Sequence, residues 1–174
     1  MIQIRRHRPD DVDPQFDAVR ESIDNLSKWM PWCHAGYSRR DSDDWIASRS
    51  EASEKEQEFD FAIVDRHDRL LGCCGIHHID WPNHTANLGY WVRSTACNRG
   101  MATRAVGELR AFGFQELDLH RLEILVAVEN VASRRVAEKA GATKEALLRQ
   151  RFLLQGRRHD AVLFAILRDE TAPQ

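Results

Sequence analysis

The 174-residue sequence predicts a mixed α/β (α+β) fold: one sheet of about seven strands carrying about four helices. Three features predict it. Asn87 to Ala105 reads strand, tight loop, helix: Leu88–Val92 is rich in aromatic and branched residues, and Met101, Ala105, Leu109 and Phe112 then fall on one helical face. Two pairs of strand-like runs stand at hairpin spacing, Phe59–Val64 with Leu70–Ile79 and Ala142–Phe152 with Arg157–Leu167. Arg121–Val128 is short and almost wholly apolar, the composition of a strand buried on both faces.

Along the chain, Ile2 and Ile4 alternate with polar residues in a first strand that ends at Pro9. From Val12 to Ser27, Phe16, Val19, Ile23 and Leu26 recur at spacings of three and four, which predicts an amphipathic helix. Trp29 to His34 interrupts it. Asp41-Ser42-Asp43-Asp44 predicts the cap of a second helix running to about Gln57. Asp65–Arg69 and Asp80–His84 supply turns, and the helix after the central loop reaches Glu116. Asn130–Ala140 is helical and stops at Gly141, and Gln155-Gly156 turns the final hairpin. Residues 1–168 form one expected domain, with a frayed tail from Asp169.

The loop that opens the third helix is an anion site by its physics, because the first amides of a helix have no intrahelical acceptor and the dipole is positive there. Gly100 lets the backbone come close, Ala102 keeps the next turn free of bulk, and Arg99 and Arg104 add charge suited to phosphate. Neither Gly-x-x-x-x-Gly-Lys nor GxGxxG is present.

Together with the segment downstream of it, this loop resembles the coenzyme A pyrophosphate loop of the GNAT acetyltransferases, Gln/Arg-x-x-Gly-x-Gly/Ala, here Cys97-Asn98-Arg99-Gly100-Met101-Ala102. Residues 119–150 resemble that family's fifth strand, Asn-x-x-Ser turn and next helix. Gly89-Tyr90-Trp91, the Asn130/Ser133 pair and Trp29-Met30-Pro31-Trp32 resemble the RimL and RimJ subgroup, which acetylates N-termini of ribosomal proteins. The likeness extends from about Phe59 to Leu167.

The resemblance implies a mostly antiparallel seven-stranded sheet whose central parallel strands splay apart to admit acetyl-CoA. It implies that Asn98, Arg99, Gly100, Met101, Ala102 and Thr103 face the pyrophosphate. Trp91 and Val92 then offer main-chain groups to the pantetheine and thioester, and Asn130 contacts the cofactor while also being a natural helix N-cap. Ser133 takes the role of protonating the departing thiolate, since the position seven residues after Asn130 is Ala137 rather than the tyrosine of many members. The subgroup's glutamate falls at Phe152 here, which leaves the base to be found among His77 and His78, of which strand alternation lets only one face the cleft, with Glu123 and Glu145 behind them. Trp29, Trp32, His34, Tyr37 and Trp81 fall where such enzymes bind acceptors. An α-amine, with a pKa of about 7.7–8.0, needs less help from a base than a lysine near 10.4. The expectation is therefore acetyl transfer to a protein N-terminus, with a small-amine or antibiotic acceptor and a silent acyl-CoA sensor as alternatives.

Composition narrows the class. Lysine and arginine number 25 against 27 acids, a net charge of −2 with the charges interspersed, so a general nucleic-acid binder is not expected. No apolar run is long enough to span a membrane, and a cytoplasmic protein is expected, with a homodimer implied by the subgroup. Cys73 and Cys74 sit in an apolar run as small hydrophobes, no Cys-x-x-Cys pair suggests a metal, and Cys97 is the thiol to test for reactivity. Arg149, Arg151, Arg157 and Arg158 read as a solvated hairpin face.

Overall fold

A computed structural model describes residues 2–169. Of the tail expected to fray, only Asp169 falls within them. The chain order is β1 (Ile2–Arg6), α1 (Val12–Leu26), α2 (Arg39–Glu54), β2 (Phe59–Asp65), β3 (Leu70–Asp80), β4 (Thr85–Val92), α3 (Met101–Gln115), β5 (Arg121–Ala127), α4 (Val131–Lys139), β6 (Thr143–Leu154) and β7 (Arg157–Leu167). The strands make one seven-stranded sheet in the order β1-β2-β3-β4-β5-β7-β6, antiparallel except for the β4–β5 pair.

Helices cover both faces. α3 packs on β1, β3 and β4 and α4 on β5, while α1 packs on β3 and α2 on β2. Alternation along the strands divides the core accordingly. Phe61, Ile63, Cys74, Ile76, Leu88, Leu122 and Phe164 meet Val106 and Leu109 of α3; Ala62, Val64, Leu70, Cys73 and Trp91 meet Val19 and Leu26 of α1. Burial of each such large side chain is worth roughly 1.5–3 kcal/mol.

β4 and β5 are paired only where Thr85–Asn87 meets Arg121–Glu123. Beyond Asn87 the two strands part, so the facing backbone edges of Leu88–Val92 and Ile124–Ala127 lack sheet partners across the gap. Unpaired backbone donors and acceptors inside a fold call for another partner, and here they line an opening.

Several boundaries differ from the expectations. α2 begins at Arg39, two residues before the acidic run, because Ser38 and Asp41 close a capping box, Asp41 accepting from Ser38 N and Oγ at 2.7 Å each; of the acidic run only Asp41 caps the helix, from its third position. β4 starts at Thr85, three residues before its aromatic run, since it must reach β5 to pair. β5 alternates between buried and half-buried residues instead of being closed on both faces, because the gap exposes Leu125. The pairing shifts register at four places among the described strands, and two of these carry a left-handed residue, His78 with φ 51° in β3 and Gln150 with φ 52° in β6, where the Gln150 amide donates to Asp160 Oδ1 at 2.8 Å.

Candidate active site

The gap between β4 and β5 opens into a cleft of about 750 Å³ that is lined from both faces of the sheet. Tyr90, Asn130 and Ser133 border it on the α3/α4 side. His77, Asp60, Arg49, Trp29, Trp32 and Trp91 border it on the α1/α2 side. A donor molecule and an acceptor can therefore enter from opposite faces and meet at the separated strands.

On the α1/α2 side His77 Nε2 lies 2.8 Å from Asp60 Oδ1, and Asp60 Oδ2 accepts from Arg49 Nη1 at 2.7 Å. The same Arg49 nitrogen donates to Glu58 Oε2 at 2.9 Å, so one guanidinium, backed by the Trp45 ring, bridges both carboxylates. Burial alone would lower His77, but the hydrogen bond and charge of Asp60, with Glu58 behind, outweigh it and raise the imidazole above its ordinary 6.5. Asp60 is almost fully buried, which favours the neutral acid, yet His77 and Arg49 hold it below the usual carboxylate value. Because the bulge turns His78 back, both histidines border the cleft, His77 from within and exposed His78 from the rim; strand alternation alone predicted only one. Glu123 accepts from Arg121 Nε at 2.8 Å and Glu145 from the other end of the same guanidinium, and neither lines the cleft.

Across the sheet, the Tyr90 hydroxyl lies 3.0 Å from Ser133 Oγ and donates to the Ser133 carbonyl at 3.1 Å. Burial pushes the Tyr90 phenol up to about 12, against the Ser133 bond that lowers it. Asn130 Oδ1 accepts from the Ser133 amide at 3.1 Å, which makes it the N-cap of α4 and fixes Ser133 at the mouth of the gap. Sequence reasoning used Tyr90 as a marker without giving it a role. Its place on β4 beside an Asn-x-x-Ser turn is the signal that could have found it.

Past the end of β4, a 3-10 turn at Ser94–Ala96 leads into the loop. Asn98 and Gly100 both adopt left-handed backbone, at φ 59° and 73°, and Gly100 is the N-cap of α3 with no side-chain cap. The first backbone bond into α3 is Arg104 N to Gly100 O at 3.1 Å, so the amides of Met101, Ala102 and Thr103 are left free of helical partners. A Cβ on Gly100 would meet nothing within 4 Å: the glycine answers the positive φ rather than crowding. These uncapped amides fit a diphosphate. Glu21 of α1 anchors the approach to the loop, accepting from the Arg93 guanidinium, from Thr95 N at 3.0 Å and from Thr95 Oγ1 at 2.8 Å; the Arg93 bond holds its carboxyl down to about 2. Residues 98–103 stand outside the cleft lining. Among the cofactor positions Trp91 borders the cleft, while Val92 does not and accepts from Cys97 Sγ at 3.7 Å.

Of the aromatic acceptor candidates, Trp29, Trp32 and Tyr37 line the cleft. Trp32 leans on Trp91 and Tyr37 at ring separations of 6.0 and 5.9 Å, and the buried Tyr37 bonds Ser42 Oγ at 2.9 Å. His34 sits behind Tyr37, and Trp81 lines a separate hollow beside α2. Phe152 lines the cleft and contributes a ring to it. Arg149, Arg151, Arg157 and Arg158 are all exposed, as expected of a solvated hairpin face, and Arg151 also borders the cleft. Burial raises all four thiols, Cys97 included, so none is an activated thiolate.

Comparison with known proteins agrees with this geometry. The model of the acetyltransferase (GNAT) domain matches residues 2–143. YdaF of Bacillus subtilis, provisionally named a ribosomal N-acetyltransferase, is 28% identical over 174 residues, 97% of this chain and 92% of that protein. The ribosomal-protein-serine acetyltransferase of Escherichia coli is 29% identical over 107 residues, 62% of this chain and 60% of that one. The solved structure of RimL, titled a ribosomal L7/L12 α-N-protein acetyltransferase in complex with coenzyme A, shares the fold at a TM-score of 0.89 and 20% identity, over 95% of this chain and 93% of its own. The chain belongs to the GNAT family of N-acetyltransferases.

Proposed function

We propose that this protein acetylates the α-amino group of protein N-termini in the cytoplasm, with ribosomal proteins as its targets. The observation that carries the proposal is the cleft through the sheet, with a His77–Asp60 pair on one side and a Tyr90–Ser133 pair on the other. Acetyl-CoA is the donor: when bound, it supplies an activated acetyl group whose transfer breaks a C–S bond and forms an amide. The amides of Met101, Ala102 and Thr103, with Asn98, Arg99 and Gly100, hold its pyrophosphate, and the free edge of β4 at Trp91 and Val92 holds its pantetheine arm. Asn130 fixes the turn beside it.

His77 is the base. An ordinary imidazole at about 6.5 lies roughly 1.2–1.5 units below an α-amine, about 2 kcal/mol of proton transfer, against about 5 kcal/mol for a lysine near 10.4. The raised pKa of His77 narrows both gaps equally, so the α-amine keeps its advantage. On the departing side, a Tyr90 phenol near 12 cannot give its proton outright to a thiolate whose acid has a pKa near 8.5, since about 3.5 units cost roughly 5 kcal/mol. Tyr90 and Ser133 therefore act by hydrogen bonding to the sulfur. Trp29, Trp32 and Tyr37 line the acceptor's entry.

The test is incubation with acetyl-CoA and a panel of N-terminal peptides, N-blocked lysine peptides, spermidine and small amines, read by mass spectrometry. Acetylation of free peptide N-termini is expected. Acetylation of small amines alone moves the protein to a metabolic role, and acetyl-CoA binding without any product makes it a sensor.

A further inference from the structure

Beneath His77 runs a row of residues whose only shared property is the space they leave. Gly75 of β3 pairs with Asp60 on β2 and with Gly89 on β4, so the three lie side by side across the sheet. His77, two residues further along β3, projects from the same face and lays its ring back over that row. A Cβ on Gly75 would stand 2.5 Å from Asp60 Oδ1 and 2.7 Å from His77 Nε2, inside the bond between them, and 2.9 Å from the Phe59 carbonyl. One on Gly89 would stand 3.1 Å from His77 Cε1 and 3.2 Å from Nδ1. Neither glycine has positive φ, which Gly100, Gly141 and Gly156 do have. Backbone conformation therefore does not demand glycine at 75 or 89; at 89 it is the imidazole that crowds a Cβ, and at 75 it is Asp60, the imidazole and the Phe59 carbonyl together.

We infer that Asp60, Gly75 and Gly89 form a slot that positions His77 for catalysis, with Nδ1 as the atom that takes the acceptor's proton. The inference rests on the reading of His77 as base. Arg49 occupies Oδ2 of Asp60 and leaves Oδ1 for His77, so the carboxylate accepts Nε2–H and the lone pair stays on Nδ1. Gly89 lies on β4 where that strand has left β5, so Nδ1 sits at the opening. The charged groups around the ring are Asp60 and Glu58 at the start of β2, Arg49 and Asp41 from α2, neighbouring His78, and Arg151 of β6 across the cleft. The substrate ammonium loses one proton to Nδ1. Its freed lone pair bonds the acetyl carbon, the C–S electron pair leaves with sulfur, the second proton of the amine nitrogen passes to that sulfur beside the hydrogen-bonding Tyr90 and Ser133, and the imidazolium returns its own proton to water.

The test combines a ring-nitrogen NMR titration of His77 with pH–rate profiles on an accepted peptide. In the parent protein His77 should titrate above 6.5 with the proton on Nε2. Asp60→Asn keeps an acceptor oxygen but removes the charge, so the titration and the acid limb of kcat/KM should move together to lower pH, with a rate loss of about 10-fold or more. Gly89→Ala should slow kcat about 10-fold while acetyl-CoA affinity and Tm hold. An unshifted His77 titration in Asp60→Asn, or full activity in Gly89→Ala, overturns the slot. His77→Gln separates the two levels: full activity in that variant removes His77 as base, whereas an inactive His77→Gln beside an unperturbed Asp60→Asn and Gly89→Ala removes the slot alone.

Discussion

The Tyr90 hydroxyl on β4 and Ser133 at the start of α4 meet at 3.0 Å across the mouth of the open sheet. The pair is a hydrogen-bonded unit, so its members should not act independently. Tyr90→Phe should lower kcat about 10-fold, and Ser133→Ala by a similar or smaller factor, with acetyl-CoA affinity nearly unchanged. The double variant should lose little more than Tyr90→Phe. Multiplicative losses in steady-state kinetics would show two separate roles.

Gly100→Glu places a side chain at φ 73° and a negative charge at the uncapped start of α3. Left-handed backbone costs an L residue about 1–2 kcal/mol, and the charge opposes a pyrophosphate at the helix's positive end. Acetyl-CoA affinity measured by calorimetry should fall by more than about 10-fold in a protein that keeps its circular dichroism. Unchanged affinity would remove this loop from the cofactor site.

Glu21→Gln should weaken acetyl-CoA binding without touching the cofactor. Glu21 gathers Arg93, Thr95 N and Thr95 Oγ1 just ahead of the loop. Its depressed pKa gives the sign for the parent protein: the contribution to stability is full above the unfolded carboxylate value of about 4.3 and fades as pH falls toward about 2. Affinity should drop by a few-fold, and hydrogen exchange at residues 94–100 should quicken.

His7 provides a stability test remote from the cleft. Its ring is buried edge-on against Trp45, neither nitrogen has a hydrogen-bond partner, and burial drives its pKa to about 4. The folded state thus resists protonation that the unfolded chain accepts from about 6.5 downward. Stability should decline as pH falls from 6.5 to 4, by up to about 3 kcal/mol from this residue. His7→Phe should flatten that limb in urea unfolding, whereas an unchanged slope would assign the loss to other groups.

The range of each interaction decides whether the sequence disclosed it. Strands, helices and the Asn98–Thr103 loop are written in local periodicity and in a resemblance of contiguous motifs, and they fall within a few residues of expectation. The bulges at His78 and Gln150 each centre on a single left-handed residue, and nothing in their neighbours announces them. The partners of the site were hidden more deeply. Asp60 meets His77 across 17 residues, Arg49 meets Asp60 across 11, and Glu21 meets Thr95 across 74. Such pairs are set by register and packing. Glu123 and Glu145 were plausible bases in the sequence until Arg121 was seen to hold both. Gly75 and Gly89 carried the one readable hint, two glycines inside strands where turns do not require them.

The most direct test of the central claim is a paired competition. Two peptides of one sequence would be offered with acetyl-CoA, one with a free N-terminus and its lysine blocked, the other with a blocked N-terminus and a free lysine. Relative kcat/KM would be read by mass spectrometry at pH 7.5. The His77–Asp60 site predicts acetyl on the α-amine with a preference of at least about 10-fold, from the roughly 3-unit difference in amine pKa. Equal or preferred acetylation of the lysine would contradict it.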